Sequence, residues 1–69
     1  MAIVSVEWAS RGLKLKKARE SRDLYLKDVA KIINKSVGSM CDYEQGRKRM
    51  DFDDLKTLCV FYGIDIRTF

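Results

Sequence analysis

The side chains best suited to bind a ligand lie close together in the segment from residue 36 to residue 49. Arg47, Lys48 and Arg49 are three consecutive cations, and such groups bind the oxygen atoms of phosphate. The carboxylate of Asp42 precedes them among short side chains. Catalysis has no comparable support, because the sequence contains no histidine, no glycine-rich phosphate loop and no pair of acids with a plausible pocket. We therefore predict a binding protein rather than an enzyme.

Metal and cofactor chemistry is equally unsupported by the sequence. The two cysteines, Cys41 and Cys59, are accompanied neither by histidine nor by a CxxC pair, and two cysteines are too few for a disulfide scaffold. We expect both thiols to be reduced in a cytoplasmic protein that carries no metal and no cofactor. The sequence also lacks an 18-residue apolar run and a recognisable signal peptide, so we expect no membrane insertion.

Charge is unevenly distributed along the 69 residues, whose net charge is +4. Residues 11–49 hold twelve Lys and Arg residues against five acids, whereas residues 50–69 hold two cations against four acids. A basic body of this kind favours an anionic partner, most often nucleic acid. The alternative is a basic surface that is merely solvated.

Helices must position these groups, because the apolar residues repeat three and four positions apart, as do Leu26, Val29 and Ala30. We predict one all-α domain, with an apolar tail at residues 1–7 and a helical core at residues 8–69. Its fold class is a compact bundle of about five short helices. The predicted helical segments are residues 8–22, 24–34, 36–46 and 51–63, followed by a last short helix near residue 65.

Capping and stop residues mark the ends of these segments. Ser36 is a good N-cap for the third helix, and Gly46 can supply the left-handed turn that ends it. Asn34 tolerates the same left-handed conformation and is expected to stop the second helix. The fourth helix has Asp51 as its cap and Gly63 as its stop.

The apolar stripes of the helices predict the core. In the first helix this stripe includes Trp8 and Leu15, and either Ser5 or Ser10 could cap the helix. Gly12 lies inside that helix, where glycine costs about 1 kcal/mol relative to alanine. The expected stripe residues of the later helices are Leu26, Val29, Ala30, Ile33, Met40, Tyr43, Phe52, Leu55, Leu58, Cys59 and Tyr62.

Two short helices joined by a tight turn, the second ending in glycine and a basic loop, make a helix-turn-helix. From about residue 13 to residue 69 the chain resembles the phage repressor/Cro-type (Xre-like) DNA-binding domains. The segments that carry the resemblance are "LKKARESRDL", "LKDVAKIIN", "SMCDYEQG" with its Glu-x-Gly signature, and "LKTLCVFYGIDIRTF". The resemblance implies a lambda-repressor-like fold with the helix-turn-helix in the second and third helices.

A structural salt bridge between Arg19 and Glu44 is also implied by the resemblance. Glu44 falls on the same side of its helix as Met40 and Tyr43, so its carboxylate is expected to point inward. A half-buried carboxylate needs a partner, and a planar guanidinium can meet it with two hydrogen bonds. We therefore assign this pair to the architecture and not to catalysis.

The resemblance places the base contacts on the outer face of the third helix, and the flanking cations are candidates for phosphate contacts. The expected base contacts are Val37, Gly38, Ser39 and Asp42, and the expected phosphate contacts are Lys27, Lys35, Ser36, Gln45, Arg47, Lys48 and Arg49. Long polar side chains are usual at the base-reading positions, and here they are replaced by small or acidic ones. Tyr25 and Leu26 also depart from the family pattern. A capping Ser or Asn is common at the position of Tyr25, and a phosphate-binding Gln is common at the position of Leu26.

Two classes of function follow from these residues. The first is a sequence-specific transcription regulator of the repressor/Cro type that binds a double-stranded DNA operator, acts in the cytoplasm and works as a homodimer. The alternative is a protein-interaction module on the same scaffold, such as an antirepressor, an antitoxin-like protein or a repressor-modulating protein, with weak or no DNA binding. The apolar "AIVSV" near the N-terminus is either packed on the domain's own core or part of a surface for self-association or for a partner.

Overall fold

The structure is a computed structural model that describes residues 5–69. Four α-helices and one short 3₁₀ helix follow one another, and no strand occurs within that range. The helices are α1 (Val6–Glu20), α2 (Leu26–Ile32), α3 (Val37–Glu44) and α4 (Phe52–Tyr62), followed by the 3₁₀ helix Ile66–Thr68. The prediction of an all-α bundle of about five short helices is confirmed.

Helix α1 begins two residues earlier than predicted. The hydroxyl of Ser5 accepts a hydrogen bond from the backbone N–H of Trp8 at 3.1 Å, so Ser5 and not Ser10 is the cap. Val6 and Glu7 therefore belong to the helix and not to a tail. The rest of the predicted tail that falls on residues 1–4 lies outside the described residues.

All four α-helices end in the same way. The chain turns through a residue with positive φ, and the next backbone N–H donates to the carbonyl five positions back. The left-handed residues are Asp23 (φ 54°), Asn34 (φ 55°), Gly46 (φ 76°) and Gly63 (φ 71°). The stops predicted at Asn34, Gly46 and Gly63 are confirmed, whereas the stop at Asp23 was not predicted.

The predicted caps of α3 and α4 differ in how they work. Ser36 accepts a hydrogen bond from the backbone N–H of Ser39 at 3.1 Å, which satisfies one of the free donors at the start of α3. Asp51 does occupy the N-cap position of α4, but its side chain makes no capping hydrogen bond. The acids Asp53 and Asp54 in the first turn favour the positive end of the helix dipole.

The core lies where α1 and α2 pack against α3, with the 3₁₀ helix covering part of α4. Most predicted core residues are buried, but Phe52 is 65% exposed, so that prediction was wrong. Phe52 is the first residue of α4, and it lines an open groove of about 240 Å³ together with Trp8 and Leu55. Met50, which precedes the helix, is buried and fills the interior position instead.

Two glycines allow α1 to lie unusually close to the end of α3. A Cβ atom on Gly12 would come within 2.4 Å of the backbone carbonyl oxygens of both Tyr43 and Glu44. A Cβ on Gly46 would lie 2.6 Å from the Cα of Ala9, at a φ of +76° that already favours glycine. The loss of helix propensity at Gly12 is therefore offset by the close contact between α1 and the end of α3.

Candidate nucleic-acid interface

The helix pair α2–α3 forms the frame of the site. Ala30 and Val29 of α2 and Met40 of α3 are buried where the two helices pack against each other and against the rest of the core. The backbone N–H of Tyr25 donates to the carboxylate of Asp28 at 2.9 Å, so α2 is capped without the usual serine or asparagine. Leu26 is half-buried and packs against the core.

Arg19 and Glu44 meet inside the domain and fix the orientation of α3. Arg19 Nε donates to Glu44 Oε2 at 2.9 Å and Nη2 donates to Oε1 at 3.1 Å, while Nη1 donates to the carbonyl of Leu24 at 2.9 Å. The two side chains are 12% and 4% exposed. The hydrogen bond with Glu44 raises the pKa of Arg19 further above its ordinary value. One guanidinium thus joins α1, α3 and the loop before α2.

The opposite face of α3 is turned to solvent. Val37 and Gly38 are exposed, and Ser39 and Asp42 are partly exposed, so all four predicted base contacts share the accessible side of the helix. Their side chains are short, which lets another surface approach the helix backbone closely. Helix α3 carries no Lys or Arg of its own, and cations lie only before and after it.

Asp42 is joined to the basic loop, which we define as residues 47–49. Arg47 Nε and Nη2 lie 3.0 Å and 2.9 Å from Asp42 Oδ1, and Lys48 Nζ lies 3.9 Å from Oδ2. Lys48 Nζ also donates to the hydroxyl of Ser39 at 3.3 Å. A predicted base contact is therefore bound to two predicted phosphate contacts, which the sequence interpretation did not anticipate.

The reason for this contact is the left-handed turn at Gly46. It folds the chain back along the last turn of α3, so that the backbone N–H of Arg47 donates to the carbonyl of Asp42 at 2.9 Å. Gln45 completes the network, because its amide oxygen accepts from Arg47 Nη1 and its nitrogen donates to Cys41 Sγ at 3.3 Å. An acid five positions before an arginine, across a glycine stop, is the sequence signal that could have revealed it.

The remaining predicted phosphate contacts are arranged differently. Lys35 Nζ lies 3.8 Å from the carboxylate of Asp54, which connects the turn before α3 to α4. Lys27 lies over the ring of Tyr25, with its Nζ 5.7 Å from the ring centroid. Arg49 is exposed and forms no ion pair within residues 5–69. The cations of this set therefore precede and follow α3 along the chain.

Comparison with known protein families identifies the architecture. The profile of one family, described as a helix-turn-helix domain, matches residues 12–68. The chain belongs to the helix-turn-helix domain family. Neither a curated protein nor a solved structure matches it. The match covers α2, α3, the basic loop, α4 and the 3₁₀ helix, together with residues 12–20 of α1.

A helix-turn-helix domain points to a DNA-binding regulator, in a family that is typically non-enzymatic. The second helix of the motif is the one that enters the major groove, and here that helix is α3. Between residues 5 and 69, no helix is both long and apolar enough to cross a bilayer.

Proposed function

We propose that this helix-turn-helix protein is a sequence-specific transcription regulator of the repressor/Cro type. It acts in the cytoplasm, where it occupies a double-stranded DNA operator as a homodimer. The observation that supports the proposal best is the exposed, short-chained face of α3, which cations precede and follow along the chain. Such a face fits a major groove that is about 12 Å wide, while the cations reach the phosphates that border the groove.

The base contacts of this proposal are Val37, Gly38, Ser39 and Asp42. Val37 would touch a thymine methyl group, Ser39 would pair with a base edge, and Asp42 would accept from the N4 amino group of cytosine. Gly38 has open space around it, since a Cβ there would meet only the hydroxyl of Ser36, at 4.0 Å. The helix can therefore approach the floor of the groove closely at this point.

Affinity would come mainly from phosphate contacts. The proposed groups are Lys27, Lys35, Ser36, Gln45, Arg47, Lys48 and Arg49. Each phosphate that a cation neutralises releases condensed counterions, which makes binding strongly dependent on salt. Because few groups face the bases, we expect a modest ratio of specific to non-specific affinity.

The test is a titration of a labelled random-sequence duplex at several salt concentrations. Wild-type protein should bind at low salt, with a log–log slope of several units. Replacing Arg47, Lys48 and Arg49 together with glutamine should reduce the slope by about 1 to 2, because Arg47 is already paired with Asp42. A charge-matched control replaces the exposed lysines Lys16, Lys17 and Lys56 of α1 and α4.

Two results would contradict the proposal: no binding at low salt, or an equal loss of slope in the control variant.

If the wild-type protein binds, selection from a random duplex library would give the operator. Two half-sites about one helical turn apart would support the homodimer, which light scattering checks directly.

The second candidate function is the protein-interaction module, which includes an antirepressor, an antitoxin-like protein or a repressor-modulating protein. It is favoured by the pairing of Asp42 with Arg47, since this removes part of the positive charge next to α3. A flat titration at low salt would select this function over DNA binding.

A further inference from the structure

Fewer positive charges of the basic loop are free to bind a partner than its sequence suggests. All three donor nitrogens of Arg47 are engaged within the protein, because Nε and Nη2 bind Asp42 and Nη1 binds Gln45. Its side chain is only 20% exposed. Lys48 is held more loosely, between the carboxylate of Asp42 and the hydroxyl of Ser39. Only Arg49 of the basic loop is free of such contacts among residues 5–69.

We propose that Asp42 competes with DNA phosphate for Arg47 and Lys48, and so weakens the binding of random DNA. The inference deepens the proposed function and rests on it. A phosphate can bind the Nε and Nη2 edge of Arg47 only if it replaces the carboxylate of Asp42, since both nitrogens already lie within 3.0 Å of Asp42 Oδ1. The exchange gains little, because one charge-assisted pair is traded for another.

The position of Asp42 makes this competition dependent on the base sequence. Asp42 is the one acid on the exposed face of α3, because the helix's other acid, Glu44, is buried against Arg19. Once Arg47 has left, the carboxylate needs a new donor in the groove. The amino group of cytosine or adenine can supply it, whereas the guanine and thymine edges offer only acceptors and leave a bare carboxylate beside the phosphates. Random DNA is therefore penalised more than an operator with cytosine or adenine at this position.

The complex with random DNA thus retains the pair between Asp42 and Arg47. This predicts that the variant Asp42→Asn binds a random-sequence duplex about fivefold more tightly than wild type. Its log–log salt slope becomes steeper by about 1, because Arg47 now reaches a phosphate. Asparagine keeps the shape of the side chain, and thermal unfolding followed by circular dichroism checks that the fold is intact.

The matched control is Asp65→Asn. Asp65 also pairs with an arginine, Arg67 at 3.0 Å, and its replacement changes the net charge equally. It lies just before the 3₁₀ helix, which packs on α4. We expect it to change the affinity by less than about twofold and to leave the slope unchanged.

A second background separates release of the loop from simple repulsion between Asp42 and phosphate. With Arg47→Gln and Lys48→Gln already present, the Asp42→Asn replacement should no longer increase the affinity. Two outcomes overturn the competition proposal but leave the proposed function standing, provided that the wild type binds DNA. In the first, the gain in affinity persists in the Arg47→Gln, Lys48→Gln background. In the second, Asp42→Asn raises the affinity of the wild type no more than Asp65→Asn does. Binding by Asp42→Asn but not by wild type would overturn the proposed function and support the competition, and failure of every protein to bind would overturn both.

Discussion

Replacing Gly12 with alanine should destabilise the domain, although alanine is the better helix former. A new Cβ would lie 2.4 Å from the carbonyl oxygens of Tyr43 and Glu44 and 2.7 Å from the carbonyl carbon of Glu44. Ordinary contacts of a Cβ begin at 3.4 Å, so α1 and the end of α3 must move apart by about 1 Å. The atoms in the way are backbone atoms, which cannot rotate aside.

The size of the effect follows from two opposing contributions. Alanine gains about 1 kcal/mol of helix propensity relative to glycine. Overpacking of this kind costs about 1 to 3 kcal/mol, and the separation also strains the bidentate pair of Arg19 and Glu44. Because the obstructing atoms belong to the backbone, the upper end of this range applies, and we expect a net loss of about 2 kcal/mol in the free energy of unfolding. For a domain of this size that lowers the Tm by roughly 10 °C.

Urea unfolding followed by circular dichroism at 222 nm measures this change. The matched control is Gly38→Ala, also inside a helix, where the added Cβ would have only one neighbour, at 4.0 Å. That variant should be more stable than wild type by about 0.5 kcal/mol, so the same substitution has opposite signs at the two positions. A Gly12→Ala protein as stable as wild type would refute the close helix contact.

Two other substitutions test the interior. Arg19→Gln leaves the buried Glu44 without its partner and should cost about 3 kcal/mol in urea unfolding, whereas Lys17→Gln, at an exposed neighbour, should change stability by less than about 0.5 kcal/mol. Tyr62→Phe removes a buried hydroxyl that has no hydrogen-bond partner, so it should stabilise the domain by about 1 kcal/mol. Burial raises the pKa of Tyr62 from 10.0 to about 12, which means that the folded state holds this proton more tightly than the unfolded state. The stability that this shift contributes is therefore fully present below pH 10, and it is lost by about 1.4 kcal/mol per pH unit as the pH rises towards 12. Tyr62→Phe should reduce this loss of stability at high pH. Equal pH dependence of the two proteins between pH 10 and 12 would contradict this reasoning.

Much of the fold could be predicted from the sequence because helix ends are determined locally. The stops at Asn34, Gly46 and Gly63 were readable because few residue types adopt positive φ easily. Asp23 adopts the same conformation but was missed, since aspartate more often marks the beginning of a helix than its end. The misplaced start of α1 has a similar cause, because Ser5 and Ser10 are chemically equivalent as caps.

The candidate site was predictable only in part. The spacing of residues within α3 correctly indicated which side faces solvent and which side carries Met40, Tyr43 and Glu44. The expected base and phosphate contacts stay predictions until DNA binding is measured. The link between Asp42 and Arg47 was missed because the two residues were assigned to separate groups, one on the helix and one in the loop.

By itself, the sequence determined the helices, their order and the family, because these depend on local conformation and on residue spacing. The tertiary structure alone decided which groups meet across elements. It placed Gly12 against the end of α3, left Phe52 exposed while Met50 fills the core, and folded Arg47 back onto Asp42. The physical reason is that such contacts depend on how closely two segments approach in space, which the spacing of residues within one segment does not determine.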